Sequence, residues 1–216
     1  MITITLVGIL GALLVLVLVK LARKPANAAP AAAKTMPQVD LANLKPSDAR
    51  AGDSISIAGA GDNMSDLDFT ADHAARMEAG ARQWIEVSGP YRERRVILRA
   101  ACGEDDEDAA VHNDPRKLTL EDLGLSEDDL AQMDERQNTA DNFEFDGKSW
   151  GYRLSREVTA RRDGQGQPAG FYYWEFREQD GNRLLAIRKA EGEPFAVTLY
   201  AGVNSGDVTI FRGSRA

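Results

Sequence analysis

The sequence predicts a mainly β protein with a few short helices, in which two small antiparallel β modules follow one N-terminal transmembrane helix. Three observations predict this fold class. Residues 2–19 form an uncharged, strongly apolar run. Short apolar or alternating segments then recur between glycine- and aspartate-containing turns, which is typical of strands. Two of these strand-like blocks recur 89 residues further along the chain.

The apolar run predicts a membrane anchor. Thirteen of the eighteen residues from 2 to 19 are Ile, Leu or Val. At about 1.5 Å per residue a helix of this length spans roughly 27 Å, close to the ~30 Å hydrocarbon core of a bilayer. Lys20, Arg23 and Lys24 follow the run, and such basic residues stay on the cytoplasmic side. We therefore expect residues 1–24 to anchor the chain in the bacterial inner membrane, contacting lipid through residues 2–19, with a cytoplasmic C-terminal body.

A cleaved signal peptide is the alternative, because Ala26-Asn27-Ala28 matches an A-x-A cleavage site. The missing basic segment before the apolar run, and the length of that run, favour the uncleaved anchor. Residues 25–40 begin with an Ala/Pro-rich stretch that has no apolar face to bury, so we predict a tether there.

The rest of the chain divides into a first β module (41–112), a short helical connector (113–140) and a second β module (141–216). Residues 69–77 fit either a helical turn or a strand. Asp146-Gly147 predicts a tight hairpin turn, since this pair readily adopts positive φ. The strands are predicted at residues 54–57, 82–87, 95–100, 109–112, 143–145, 148–154, 156–162, 171–177, 183–189, 195–200 and 207–211.

The connector contains two short helical candidates, 118–123 and 126–133. Ser126 and Asp129 have the spacing of a capping box, in which the two side chains satisfy free N–H groups at a helix start. We expect the apolar residues of this solvated helix pair to pack inward, namely Leu118, Leu120, Leu123, Leu125, Leu130 and Met133.

The two modules can be overlaid. Residues 84–87 align with 173–176, and residues 96–100 align with 185–189 at the same offset. A shared offset across two strands favours an internal duplication. The alternative is that any two meandering antiparallel sheets look alike at this level of detail.

A family resemblance rests on Tyr172-Tyr173-Trp174-Glu175-Phe176, Leu184-Leu185-Ala186-Ile187 and residues 195–200, with a weaker copy at 84–87. This series resembles a bacterial domain-of-unknown-function family, numbered four-one-seven-eight. The resemblance implies small β-rich modules, sometimes near polyamine-synthesis or membrane-protein genes, and no established activity.

The composition and the motifs of the chain argue against nucleic-acid binding and against catalysis. The net charge is −8, and an acidic chain repels phosphate backbones, so we expect no nucleic-acid partner. The chain has one cysteine, Cys102, and two histidines, His73 and His112, none of which lies in a recognisable catalytic motif. We therefore predict no enzyme, catalytic residue, cofactor or metal.

Glu86 and Glu175 are the most interesting carboxylates, because they lie at equivalent mid-strand positions. If both faced one pocket they could act as an acid–base pair. The other possibilities are that each faces solvent or pairs with an arginine on the neighbouring strand, such as Arg99 or Arg188. The candidate ligand-binding residues are Glu86, Glu175, Trp84, Tyr173 and Trp174, although the aromatic residues also fit a packed core.

These observations give two functional hypotheses. The first is a membrane-anchored cytoplasmic β protein that binds protein partners as an interaction or scaffolding component. The alternative is a module that binds or senses a small cationic, polyamine-like ligand, because a cation over an aromatic face gains about 0.5–2 kcal/mol. The sequence indicates no oligomeric state.

Overall fold

The computed structural model describes residues 44–103, 108–163 and 167–213, which all belong to one compact unit, Asp40–Ala216. The predicted anchor (1–24) and the predicted tether (25–40) lie outside the described residues. Within the described ranges, no helix is both long enough and apolar enough to cross a membrane.

Strands dominate the described part of the chain, together with one α-helix, α1 (Glu127–Arg136). The strands are β1 (Ser54–Ile57), β2 (Leu67–Thr70), β3 (His73–Ala79), β4 (Arg82–Tyr91), β5 (Arg94–Ala101), β6 (Ala109–His112), β7 (Asn142–Phe145), β8 (Lys148–Arg162), β9 (Ala169–Glu178), β10 (Arg183–Lys189), β11 (Ala196–Val203) and β12 (Val208–Phe211).

Eight of these strands close into an antiparallel barrel. Their hydrogen-bonded order is β3-β4-β5-β6-β11-β10-β9-β8, and the pairing of β3 with β8 completes the ring. That closing pair runs from Ala75 opposite Arg162 to Glu78 opposite Thr159. β8 is 15 residues long, so its first part can also pair with β7, which extends the sheet beyond the ring.

The prediction of a β-rich chain is confirmed, but the prediction of two separate β modules is wrong. The first predicted module supplies β3 to β6 and the second supplies β8 to β11, and the two meanders join at the β3–β8 and β6–β11 seams. A separate four-stranded meander would leave two edges of unpaired N–H and C=O groups. Closing the ring pairs both edges, which is the physical reason for one barrel.

A three-stranded antiparallel sheet, β12-β1-β2, covers one side of the barrel. Its apolar side chains pack with outward-facing residues of β4 and β5 such as Val87 and Leu98. Gly89 permits the close approach of β2, because a Cβ at this position would lie 2.1 Å from the carbonyl oxygen of Thr70. This sheet also combines the two ends of the described chain, so it too crosses the predicted module boundary.

The connector packs on the outer face of the barrel. Ser126 caps α1 as predicted: its Oγ accepts from the Asp129 N–H at 3.2 Å, and the Asp129 carboxylate accepts from the Ser126 N–H at 2.8 Å. The helical prediction for 118–123 is wrong, because Thr119 and Asp122 hydrogen-bond each other in a turn that ends at Gly124 with φ +68°. All six predicted apolar residues of the connector pack inward, around Trp150 and Trp174.

Candidate functional site

The barrel interior contains charged side chains among apolar ones. Alternate residues of a barrel strand face inward. The inward cluster contains Met77, Trp84, Leu154, Val158, Tyr173, Leu184 and Tyr200. Glu86, Arg99 and Glu175 are buried beside it, at 7%, 6% and 1% exposure. Ions this well buried must be paired, because an unpaired charge there would cost several kcal/mol.

Glu175 is the common counter-ion of three arginines. Its carboxylate accepts from Arg99 Nη2 at 2.8 Å and from Arg82 Nη1 at 3.3 Å, and Arg177 Nε lies 4.0 Å away. The Tyr173 hydroxyl donates to the same carboxylate at 3.0 Å. Among the described residues, arginines therefore outnumber carboxylates in the immediate surroundings of Glu175.

Glu86 forms a second buried pair. Its carboxylate accepts from Arg188 and, at 2.9 Å, from the Trp84 indole N–H. Arg188 also lies 3.3 Å from the Tyr200 hydroxyl. Sequence analysis named Arg99 and Arg188 as possible partners, but expected each glutamate to pair with the arginine of a neighbouring strand. Instead, the Glu86–Arg188 and Glu175–Arg99 pairs each join one half of the barrel to the other.

The arginines keep both carboxyl groups ionised. Burial raises the pKa of Glu175, but the charges of Arg99 and Arg82 outweigh it, so the pKa lies below its ordinary value. Burial likewise raises the pKa of Glu86, and the charge and hydrogen bond of Arg188 outweigh that effect and lower it. Neither carboxyl group therefore has the raised pKa of a general acid at neutral pH.

Four of the five predicted site residues come together inside the barrel. Trp84 and Tyr173 have ring centroids 5.5 Å apart, and they contact Glu86 and Glu175 respectively. Trp174 is the exception, because adjacent strand residues face opposite sides. Its indole N–H donates to the Leu130 carbonyl of α1 at 3.2 Å, on the outside of the barrel.

A cleft opens at the end of the barrel where β4 begins and β5 ends, and we call it the end cleft. Its volume is about 1210 Å³. Trp84, Arg99 and Leu184 line it, whereas Glu86 and Glu175 are buried and are not among its lining residues. The charged lining residues are Arg82, Arg99, Arg116, Arg177, Arg183, Asp108, Asp114 and Asp207.

The arginines of the end cleft form two groups. Arg116 and Arg183 are each paired with acids outside the arginine cluster: Arg116 binds Asp114 and Asp146, and Arg183 binds Glu178. Arg82, Arg99 and Arg177, which we call the arginine cluster, share Glu175. Arg177 also pairs with Asp108 at 2.9 Å. Among the described lining residues, the arginine cluster is therefore where guanidinium groups outnumber their carboxylate partners.

Sequence analysis did not identify Arg82 or Arg177 as site residues. Both lie two residues from a member of the predicted set, Arg82 from Trp84 and Arg177 from Glu175, and so share its strand face. Strand alternation could have placed these two arginines on the same face as Trp84 and Glu175, but it does not show which strand face points into the barrel.

No protein-family model, curated protein or solved structure matches this chain. The resemblance to family four-one-seven-eight therefore stays a prediction.

Proposed function

We propose that this protein is a binding module, without a catalytic reaction of its own, whose end cleft takes a small anionic molecule. The arginine cluster is the observation on which the proposal rests. Among the described residues, three guanidinium groups face Glu175 and Asp108 at the wall of an open cleft, and guanidinium groups bind carboxylate and phosphate oxygens in a planar, bidentate manner.

The charge of the whole chain makes this cluster distinctive. The chain has a net charge of −8, so its average field repels anions. A local excess of arginine therefore supports selective binding at one position. The exposed fractions of the Arg82 and Arg177 side chains are 44% and 35%, so both can reach a ligand while Arg99 stays buried at 7%.

A polyamine-like cation is favoured less by this geometry. The Arg99 guanidinium already lies 4.5 Å from the Trp84 ring centroid and 5.7 Å from that of Tyr173. Arg188 similarly lies 5.3 Å from the Phe171 ring centroid. The chain's own cations occupy the aromatic faces and neutralise both glutamates, so a cationic ligand would have to displace them.

Protein interaction, membrane anchoring and a cytoplasmic body stay proposals from the sequence. Among the described residues, the exposed large apolar side chains are Met64 and Phe211. Phe211 ends β12, an outer strand of the three-stranded sheet, which leaves a short surface for a partner. Tag accessibility at the C-terminus in intact cells and after membrane lysis would test the orientation.

Isothermal titration calorimetry with carboxylates, inorganic phosphate and spermidine tests the binding proposal. We expect anions to bind and spermidine to give no heat. Replacing Arg82 and Arg177 by glutamine should weaken anion binding at least about tenfold for each charge-assisted hydrogen bond lost. Arg153→Gln is the matched control, because Arg153 is exposed on β8 and does not line the end cleft. Equal binding by the cluster and control variants would refute the proposal.

A further inference from the structure

We propose that the barrel has a second ligand site at the end opposite the end cleft, and that this site takes a small neutral molecule with a carbonyl group and an apolar body. The site lies where β4 ends and β5 begins, and we call it the far recess. It is formed by Arg188 and by six further residues, namely Ala75, Ser88, Ile97, His112, Phe171 and Thr198. None of these residues lines the end cleft, so the proposal does not depend on the proposed function.

The side chains of the far recess face the barrel interior and are still reached by solvent. Those that pack against the interior cluster are Ala75, Ile97 and Phe171. The His112 ring centroid lies 6.0 Å from that of Tyr200. Ser88 and Thr198 each lie two residues from a buried inward residue of the same strand, and therefore share its face. All seven residues of the far recess are partly exposed, whereas Glu86 and Tyr200, two residues deeper on β4 and β11, are buried.

Arg188 has an unpaired hydrogen-bond donor at the far recess. Its Nη2 donates to Glu86 and lies 3.3 Å from the Tyr200 hydroxyl. Its Nε is buried and has no hydrogen-bond partner among the described residues. A buried N–H without an acceptor carries the full desolvation penalty of that group. A ligand carbonyl oxygen that accepts from this N–H removes the penalty, and this is the main argument for a carbonyl group.

The far recess corresponds to the arginine cluster, but with neutral residues in place of two arginines. At the 89-residue offset between the two halves of the chain, Arg188 matches Arg99. The further matches at this offset are Phe171 with Arg82 and Ser88 with Arg177. An aromatic ring and a hydroxyl group therefore stand where the end cleft has its two exposed arginines, so the two ends of the barrel favour ligands of different charge.

A neutral ligand fits the far recess better than an ion does. Arg188 is already paired with Glu86, so like-charge repulsion from this carboxylate disfavours an anion, and repulsion from Arg188 disfavours a cation. Residues 164–166, between β8 and β9 and outside the described ranges, contain no charged side chain. Ile97 and Phe171 provide apolar surface for the body of the ligand. The interior of an eight-stranded barrel has room for its side chains or for one small ligand, so the molecule must be small.

Benzamide is a suitable probe, because it combines a carbonyl group, an apolar ring and no charge. The full chain is titrated with it, and binding is followed by NMR through the Nε–H resonance of Arg188. We expect benzamide to shift this resonance in a saturable manner. Benzoate and benzylamine, its anionic and cationic analogues, should bind there at least about tenfold more weakly. This measurement uses the parent chain, so it does not depend on the stability of a variant.

Thr198→Phe fills the far recess and should weaken benzamide binding at least about tenfold, because a packed aromatic ring leaves no room for the ligand. Thr209→Phe is the matched control and should bind as the parent chain does, since Thr209 is exposed on β12 and belongs to neither site. An unchanged Arg188 resonance, equal binding by the two variants, or tighter binding of benzoate than of benzamide at this resonance would overturn the proposal. These outcomes leave the anion proposal standing, since the variants at Arg82 and Arg177 test it separately.

Discussion

Glu175 shows at the residue scale how the barrel tolerates buried charge. Its partners come from three strands: Arg82 from β4, Arg99 from β5, and Tyr173 and Arg177 from β9. A buried ion pair adds little net stability relative to a well-packed apolar pair, because desolvation offsets the attraction between the ions. Removing one partner is costly, however, since the other remains buried and charged.

We expect Glu175→Gln to lower the free energy of unfolding at pH 7 by about 3–5 kcal/mol, because Arg99 loses its nearest carboxylate. Urea denaturation measures this loss. The double variant Glu175→Leu/Arg99→Met should be more stable than Glu175→Gln, since it removes both ions. A single variant within about 0.5 kcal/mol of the parent chain would contradict the assignment of Glu175 as an essential counter-ion.

The two buried glutamates also predict acid sensitivity. Their pKa values in the folded state lie below the ordinary 4.5, so the unfolded chain takes up protons first as the pH falls. Their contribution to stability is therefore complete above about pH 4.5 and decreases below it, until the folded-state pKa is passed. The free energy of unfolding, measured from pH 6 to pH 3, should decrease less steeply for Glu86→Gln/Glu175→Gln than for the parent chain. Equal slopes would mean that other carboxylates control acid unfolding.

Sequence reasoning identified three of the six buried polar residues of the described chain, Glu86, Arg99 and Glu175, but not their arrangement. Matching positions drew attention to Glu86 and Glu175, and the structure places Trp84 on the same strand face as Glu86, as strand alternation requires. Trp174 was included although it adjoins Tyr173 and must face the other way. The pairing of Glu86 with Arg188 required knowledge that the two halves face each other across a barrel, and local patterns contain no such information.

At the element scale, the positions of the strands can be predicted from the sequence better than the pairing between strands. The predicted strands 109–112 and 183–189 coincide with β6 and β10, and the Asp146-Gly147 turn has the expected positive φ at both residues. The segments 148–154 and 156–162 were predicted as two strands, but they form the single β8, with a register shift between Tyr152 and Leu154. Partner choice depends on contacts distant in sequence, so these local signals could not reveal the β3–β8 seam.

The docking of α1 depends on Asp134. Its carboxylate accepts from the Tyr172 hydroxyl at 2.7 Å, from Gln137 Nε2 at 2.9 Å and from the Ser155 hydroxyl. Asp134→Ala should cost about 1–3 kcal/mol, because the half-buried Tyr172 and the buried Ser155 lose an acceptor. Glu135→Ala, an exposed change on the same helix, should stay within about 0.5 kcal/mol. Urea denaturation compares them, and equal stability would show that this cluster does not hold the helix.

At the scale of the whole molecule, ring closure makes each half depend on the other. The β3–β8 and β6–β11 pairings provide backbone hydrogen bonds between the halves, and the Glu86–Arg188 and Arg99–Glu175 pairs join them through the interior. The three-stranded sheet adds a third connection, since β12 pairs with β1. These contacts join residues that are far apart in the sequence, so the formation of the barrel must overcome the entropy of closing long loops.

This dependence predicts one cooperative unfolding transition for the described unit. Independent modules at 41–112 and 141–216 would unfold in two steps and would each fold alone. We expect a single calorimetric transition, with equal calorimetric and van't Hoff enthalpies. Each fragment by itself should remain unfolded, because both seams are open and the buried glutamates lack their arginines. Far- and near-ultraviolet circular dichroism of the fragments checks this, and native-like spectra from either fragment would restore the two-module hypothesis.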